Sequence, residues 1–219
     1  EGLYVGEEIR LTDDVAIAIR KITRTASGKV ARYAFEEAKR RNYDTVVAIH
    51  KSNILRRTCG LFLEEVNKAA ASYPGIEVWE YHIDNIAQQL IKNPQIFNNK
   101  VLLSTNLFMD VLSEECSALV GSIGLIYSAN IGDNFAMFEP AHGSAPKYAG
   151  LDKVNPVATV LAGAWMLGYL GEPERSAAIF RATERVISEG KYVTYDLGGN
   201  AKLSEMTNAI AKYTAEELK

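Results

Sequence analysis

Apolar positions along this chain change period several times, and each change marks a boundary between predicted elements. Between Asp14 and Thr23, Val15, Ile17 and Ile19 recur at every second position ahead of Arg20, the pattern of a strand. Ser27 then stands where a helix N-cap is expected, and Val30, Ala31, Ala34, Phe35 and Ala38 follow at helical spacing. Thr45 to His50 is a short apolar run (Val46, Val47, Ala48, Ile49) of the kind buried inside a parallel sheet. A helix through Leu61, Phe62, Val66 and Ala69 is expected to stop at Pro74-Gly75.

Strands are predicted again at Glu77–Ile83 and Val101–Thr105, with a helix from Asp84 to Lys92 between them and Pro94 closing it. A helix from about Leu107 to Val120 precedes a Gly-rich, helix-poor region running from Gly121 to Asn155. Further on, Val157, Val160, Leu161, Ala164 and Leu167 share one helical face, as do Ile179, Phe180, Thr183, Val186 and Ile187, and a last amphipathic helix starts near Leu203. Strands that alternate with helices predict an α/β fold.

Composition narrows the classes. The chain has 219 residues, 47% hydrophobic and 23% charged, which is ordinary for a globular protein with a sizeable core. A net charge of −3 gives no electrostatic reason to expect nucleic acid. No apolar run approaches the length that spans a bilayer, and no leader-like segment opens the chain. Cys59 and Cys116 cannot build a disulfide framework and fit a reducing compartment. A soluble cytoplasmic protein, bound to neither membrane nor nucleic acid, is expected.

Asp110 and Glu114 lie four apart on a predicted helix, so both carboxylates leave the same face. Like charges at that spacing repel. Two readings stay open on spacing alone: a solvated acidic face, or a pair held by a hard divalent cation such as Mg²⁺ or Mn²⁺. Asp84, after the strand at Glu77–Ile83, is a third candidate ligand.

Several runs, in order, resemble the β-decarboxylating dehydrogenases, the isocitrate and isopropylmalate dehydrogenase family. Asn106-Leu-Phe-Met-Asp110-Val-Leu-Ser-Glu114 is similar to that family's metal-binding helix, usually Asn-Leu-Phe-Gly-Asp-Ile-Leu-Ser-Asp. The likeness continues through Gly121-Ser-Ile-Gly, Ser128-Ala-Asn-Ile-Gly-Asp133 and Phe138-Glu-Pro-Ala-His142-Gly-Ser-Ala-Pro146. Upstream, His50-Lys51-Ser-Asn53 before Gly60-Leu-Phe62, Ile83-Asp84 ahead of Pro94, and Glu1-Gly-Leu-Tyr4 match further family motifs.

The resemblance implies an isocitrate/isopropylmalate dehydrogenase-like fold, a parallel or mixed sheet sandwiched by helices in two subdomains. Residues 1–130 would form an arm and a small domain for dimerisation and the metal site. Residues 131–219 would form the C-terminal part of a large cofactor-binding domain. It also implies a site shared in a homodimer, with Tyr4, Asp110 and Glu114 from one chain and the Lys51–Asp84 pair reaching it across the subunit boundary. Lys51 would move the hydroxyl proton of a 2-hydroxy acid, a task that requires a lowered pKa. A cation held by Asp84, Asp110 and Glu114 would polarise the keto acid for loss of CO₂, and Tyr4 would reprotonate the product. Without the motifs, Lys51 reads as a solvated lysine at a strand end and Tyr4 as an ordinary aromatic.

No Gly-x-Gly-x-x-Gly fingerprint is present. The resemblance places the nicotinamide cofactor instead on His142-Gly143-Ser144-Ala145, with Asn53, Glu139 and Asn155 as further contacts. Lys147, Tyr148, Val154 and Tyr195 look like the set of NADP-dependent isocitrate dehydrogenases. Where NAD-using members carry an acid for the ribose 2′-hydroxyl, Lys147 offers an ammonium that attracts a 2′-phosphate. NADP is therefore expected, with NAD as the alternative. The plain reading of Lys147 is a surface lysine. An arginine that some NADP enzymes place after the Tyr195 motif is replaced by Gly198-Gly199.

Glu114 and Met109 depart from the family's aspartate and glycine, and Phe97-Asn-Asn-Lys-Val101 is two residues longer than usual. Family members carry a long N-terminal stretch before the tyrosine motif, with arginines for the substrate carboxylates. The chain begins at Glu1, without methionine, and is expected to be part of a longer enzyme. Isocitrate is the first substrate expected. The short segment between Tyr4 and Asp14 is closer to homoisocitrate and 3-isopropylmalate dehydrogenases. A non-catalytic regulatory subunit or truncated paralogue is the rival of another class, against which Tyr4, Lys51 and Asp110 stand. A serine hydrolase lacks its Gly-x-Ser-x-Gly elbow, and Cys59 reads as structural rather than nucleophilic.

Overall fold

The computed structural model describes residues 2–219. The chain divides into two compact units, Glu1–Glu115 and Cys116–Lys219.

The first unit begins with a two-stranded antiparallel ribbon, β1 (Glu8–Arg10) and β2 (Ala16–Ala18), turned where the Leu11 N–H donates to the Val15 carbonyl. The strand predicted over Asp14–Thr23 is thus shorter in its ladder, with Lys21 making a separate bridge to Gly2. The alternation persists, yet Ile9, Val15, Ile17 and Ile19 are all more than 40% exposed, since a lone ribbon has no second layer to cover it.

Helix α1 (Arg24–Arg40) starts four residues earlier than Ser27 would place it. The cap is Thr23: its backbone is extended and its hydroxyl accepts the Ala26 N–H at 3.2 Å. The Ser27 N–H already donates to the Thr23 carbonyl, so Ser27 is a buried helical residue and not the N-cap. Ala31, Ala34, Phe35 and Ala38 form the buried stripe as expected, while Val30 lies beside it and is exposed.

Strand β3 (Thr45–His50) is buried at every position. It is the middle of a three-stranded parallel sheet, β4 (Glu77–His82) on one side and β5 (Val101–Ser104) on the other. Helix α2 (Thr58–Ala70) joins β3 to β4 and packs on α1, and α3 (Ile83–Lys92) follows β4. Phe35, Val46, Ala48, Phe62, Val66 and Leu103 meet in one core. Of these, each buried Phe, Val or Leu side chain contributes about 1.5–3 kcal/mol.

Parallel pairing has a direct consequence for chemistry. Because β3 and β4 run together in register, with His50 opposite His82, the residues that leave the sheet next emerge side by side. Thr105 and α4 (Asn106–Val120) leave from the same end of β5, with Ser104 opposite Ile49. Carboxyl ends of parallel strands are where α/β proteins place their ligands.

The second unit contains an antiparallel pair, β6 (Tyr127–Ile131) and β7 (Ala136–Pro140), within the Gly-rich region where only the lack of helix was foreseen. Three helices complete it: α5 (Val157–Tyr169), α6 (Pro173–Glu189) and α7 (Leu203–Glu217). Phe138 and Tyr127 each meet the Trp165 ring at 5.8 Å, seating the strand pair on α5. Val157, Ala182, Val186, Met206 and Ile210 form its core. The fold is α/β, with parallel and antiparallel sheets flanked by helices. No helix among the described residues is long and apolar enough to cross a membrane.

Candidate active site

Two hydrogen-bonded pairs gather chemistry in the first unit. Lys51, the first residue beyond β3, places its ammonium 2.6 Å from the Asp84 carboxylate in the first turn of α3. That hydrogen bond holds the Asp84 carboxyl below its ordinary pKa. The turn carrying Lys51 is fixed from inside the unit. The Lys51 N–H donates to the buried Cys59 sulfur at 3.3 Å, and the Ser52 N–H donates to His50 Nδ1 at 3.2 Å. Burial pushes the His50 imidazole below its usual pKa, which favours the neutral ring that such an acceptor needs. Arg20 ties the neighbouring pieces together, donating to the hydroxyls of Thr58 at 2.6 Å and Thr105 at 2.9 Å.

The second pair lies on α4. The Tyr4 hydroxyl donates to Asp110 at 2.7 Å, and that contact raises the phenol's pKa. Asp110 and Glu114 stand one helical turn apart, as their spacing requires. Among the described residues no group of three or more His, Cys, Asp or Glu comes together as a metal centre. Asp84 belongs with Lys51 in this chain, and the three acids named from the sequence do not form a single cluster. Asn53 is exposed in the turn after Lys51.

In the second unit, a cleft of about 380 Å³ opens between the loop following β7 and the segment around Tyr195. His142, Gly143, Ser144, Ala145, Tyr148, Val154, Asn155 and Tyr195, eight of the residues singled out from the sequence, line it. Ala145 holds a left-handed backbone at φ 42, which turns the loop sharply ahead of Pro146. Glu139 lies on β7 and accepts from the Asn130 amide at 2.9 Å. Lys147 stands beside the cleft with its ammonium 4.9 Å from the Tyr148 ring centre. The Tyr148 and Tyr195 hydroxyls interact, and this contact, with the Lys147 charge, lowers the Tyr148 pKa.

The cleft has a polar floor that the sequence reading left unassigned. Asp196 accepts hydrogen bonds from Ser122 at 2.6 Å, Asn155 at 2.9 Å and Thr194 at 2.5 Å. Burial opposes its ionisation, yet the three donors together hold the carboxyl below its ordinary value. Gly124 completes the floor. A Cβ there would stand 2.8 Å from the Asn155 Cβ and 3.1 Å from an Asp196 oxygen, so no larger residue fits unshifted. Ser122, Ile123 and Gly124 fall in a run already noted for its family likeness, and Asp196 follows Tyr195 directly. Lys153, whose ammonium lies 4.7 Å from the Tyr195 ring centre, was also missed. Nothing in its spacing marks it.

Comparison with known proteins identifies the scaffold. Residues 1–210 match the isocitrate/isopropylmalate dehydrogenase family model. The homoisocitrate dehydrogenase of Methanocaldococcus jannaschii is 47% identical over all of this chain and 62% of its own length. A 3-isopropylmalate dehydrogenase of Methanothermobacter thermautotrophicus is 43% identical over 97% of this chain and 64% of its own. The crystal structure of isocitrate dehydrogenase from Methylococcus capsulatus superposes with a TM-score of 0.90 at 41% identity, covering 98% of this chain and 64% of that one. The chain therefore spans a little under two thirds of the relatives it matches. It belongs to the isocitrate/isopropylmalate dehydrogenase family.

Proposed function

We propose that this chain carries the metal-site and cofactor-site portion of an enzyme that oxidatively decarboxylates a 2-hydroxy acid with NADP⁺ and Mg²⁺ or Mn²⁺. Isocitrate is the first substrate. The observation that carries the reading is the cleft of the second unit, where eight separately noted residues converge with Lys147 at its rim.

Bound NADP⁺ supplies a hydride acceptor, and a bound divalent cation supplies polarisation of the keto group formed. The chain's own residues do the proton work. Lys51, as its neutral amine, takes the substrate's hydroxyl proton, and the Asp84 carboxylate, 2.6 Å away in this chain, steadies the ammonium that forms. Tyr4 returns a proton to the carbon that has lost CO₂. Its hydrogen bond to Asp110 keeps that proton on the phenol until negative charge develops at the carbon. His142-Gly143-Ser144-Ala145 and Asn155 hold the adenosine end, with Gly143 leaving the backbone uncovered for a phosphate. Glu139, on β7, would meet the nicotinamide ribose.

Asp110 and Glu114, with Asp84, would hold the cation. Their hard oxygen atoms suit Mg²⁺ or Mn²⁺. Among the described residues one chain does not bring three acids together; a second chain offering its Lys51–Asp84 pair would supply the third ligand, and we take the enzyme to be a homodimer on that reading. Uncovered apolar residues support it: Ile9, Leu11 and Ile17 on the ribbon, and Val111, Leu119 and Val120 on α4, all more than 40% exposed.

The test is reduction of NADP⁺ and of NAD⁺ by the longest natural chain containing this sequence, offered isocitrate, homoisocitrate or 3-isopropylmalate with Mn²⁺. Turnover with NADP⁺ and isocitrate, abolished by EDTA and restored by Mn²⁺, is expected. Homoisocitrate is the second reading, favoured by the 47% identical relative that bears that substrate's name. Silence with all three acids refutes the enzyme.

A further inference from the structure

Helices α1 and α2 pack on each other in the first unit, and Gly28 lies buried in α1 where it faces α2. A Cβ there would stand 3.2 Å from Glu65 Oε2 and 3.4 Å from an Arg32 guanidinium nitrogen. A cavity of about 200 Å³ opens beside this bare position. Drug-sized ligands fill pockets of roughly 300–1,000 Å³, so this one has room for a smaller molecule. Arg32 of α1 lines it from one side and Glu65 and Lys68 of α2 from the other, with Ser72 and Tyr73 just beyond the end of α2. The Tyr73 side chain is held in place, its ring stacked on Phe35 and its hydroxyl donating to Glu36 at 3.3 Å.

The charges around this cavity do not cancel. Glu65 is only 9% exposed, a degree of burial that a carboxylate tolerates when it is paired. Its Oε1 accepts from Arg24 at 3.1 Å, while Oε2, the oxygen nearest Gly28, has no donor among the described residues. Arg24 also pairs with Glu64 at 2.7 Å, so one guanidinium serves two carboxylates and one negative charge is left over. Among the described residues neither Arg32 nor Lys68 is in an ion pair. Two unpaired cations and one half-engaged carboxylate therefore face the same small space, with a net charge of about +1.

We propose that this cavity is a binding site for an acidic α-amino acid, the class of small molecule that carries one ammonium and two carboxylates. The ammonium meets Glu65 Oε2 on the floor, and the carboxylates meet Arg32 and Lys68 on the two helices. Charge-assisted hydrogen bonds of this kind are roughly twice as strong as neutral ones. The ligand's net charge answers that of the lining. A dicarboxylate without the ammonium sets like charge against Glu65, and an amino acid without the second carboxylate leaves one cation unanswered. The Ser72 hydroxyl offers a further neutral donor. The site lies within the first unit and uses none of the residues assigned to the metal, the cofactor or proton transfer, so it stands independently of the reaction proposed above.

The experiment is calorimetric titration of the longest natural chain containing this sequence, with L-glutamate, glutarate and L-glutamine as probes. L-Glutamate should bind, and glutarate and L-glutamine should each be weaker by roughly tenfold, the scale of one hydrogen bond to a charged group. Arg32→Gln and Lys68→Gln, at exposed helical positions that glutamine suits, should each weaken L-glutamate by about tenfold. Glu65→Gln, equal in shape, should weaken L-glutamate and strengthen glutarate, an inversion that a purely structural role of Glu65 does not produce. Raised salt should weaken L-glutamate. Lack of L-glutamate binding to the wild type overturns the proposal, as does a wild type that takes glutarate equally well. Binding that all three variants leave unchanged places the molecule elsewhere, the substrate site included, and overturns it too.

Discussion

Asp196 is the point where the cleft depends most on one side chain, and Asp196→Ala tests the account of that floor. The carboxylate accepts from Ser122, Asn155 and Thr194, and of these residues Thr194 is 0% and Asn155 7% exposed. Truncation leaves the Asn155 amide without its Asp196 acceptor and the Thr194 hydroxyl with only the weak acceptor Met206 Sδ at 4.0 Å, at about 1–3 kcal/mol for a buried group left unpaired. The Ser122 hydroxyl is half-buried and can turn to water. Since the donors share one network, their losses do not simply add, and the expected total is about 2–4 kcal/mol. The chain has two tryptophans, so in a Trp79→Phe background Trp165 reports urea unfolding of the second unit alone. The midpoint should fall with the slope unchanged. The pH dependence carries the sign. Folding lowers the Asp196 pKa below its unfolded value of about 3.9, so the carboxylate's stabilisation is complete above that value and is lost as pH falls through the folded pKa. The gap between wild type and variant should therefore be flat near neutrality and shrink in acid. A gap under about 0.5 kcal/mol at pH 7, within the range of ordinary surface changes, refutes the reasoning. So does a gap that widens on acidification.

Further outcomes follow from the same geometry. Phe35→Ala, which empties a fully buried position stacked on Tyr73 at 5.3 Å, should cost about 3–5 kcal/mol in urea unfolding of the first unit. Tyr4→Phe removes only an exposed hydroxyl, so the thermal midpoint should stay unchanged while turnover of the full enzyme falls about 100-fold or more; equal turnover would remove Tyr4 from the chemistry. Lys147→Asp with Tyr148→Ile puts a carboxylate where a 2′-phosphate would lie and should move the ratio of kcat/KM values from NADP⁺ towards NAD⁺. An unchanged ratio counts against the assignment.

Much of the fold was legible because parallel sheets and amphipathic helices write strong local patterns. Val46 to Ile49 announced a buried central strand, and Ala31, Phe35 and Ala38 the inner face of α1. Weak local signals fared worse. Ser27 and Thr23 are both competent caps, and only the helix's true start chose Thr23. The pair β6 and β7 was hidden in a Gly-rich stretch, since its seating on Trp165 is a long-range contact. The residues of the cleft were legible through ordered motifs. Asp196 and Lys153 were not, because their neighbours Ser122 and Tyr195, respectively, come from distant parts of the chain.

What the sequence determined alone is which residues are available and which faces they leave from. Asp110 and Glu114 share a helical face whatever surrounds it, and Lys147 has a charge wherever it lies. Tertiary structure decided who meets whom. Lys51 and Asp84 are 33 positions apart and touch because parallel pairing brings the ends of β3 and β4 together in register. Asp196 keeps its charge because three donors converge on it, and Lys153 stands beside Tyr195 because Asp152 caps α7. Local periodicity is written in consecutive residues, whereas the strength of a hydrogen bond or a charge depends on neighbours that only folding supplies.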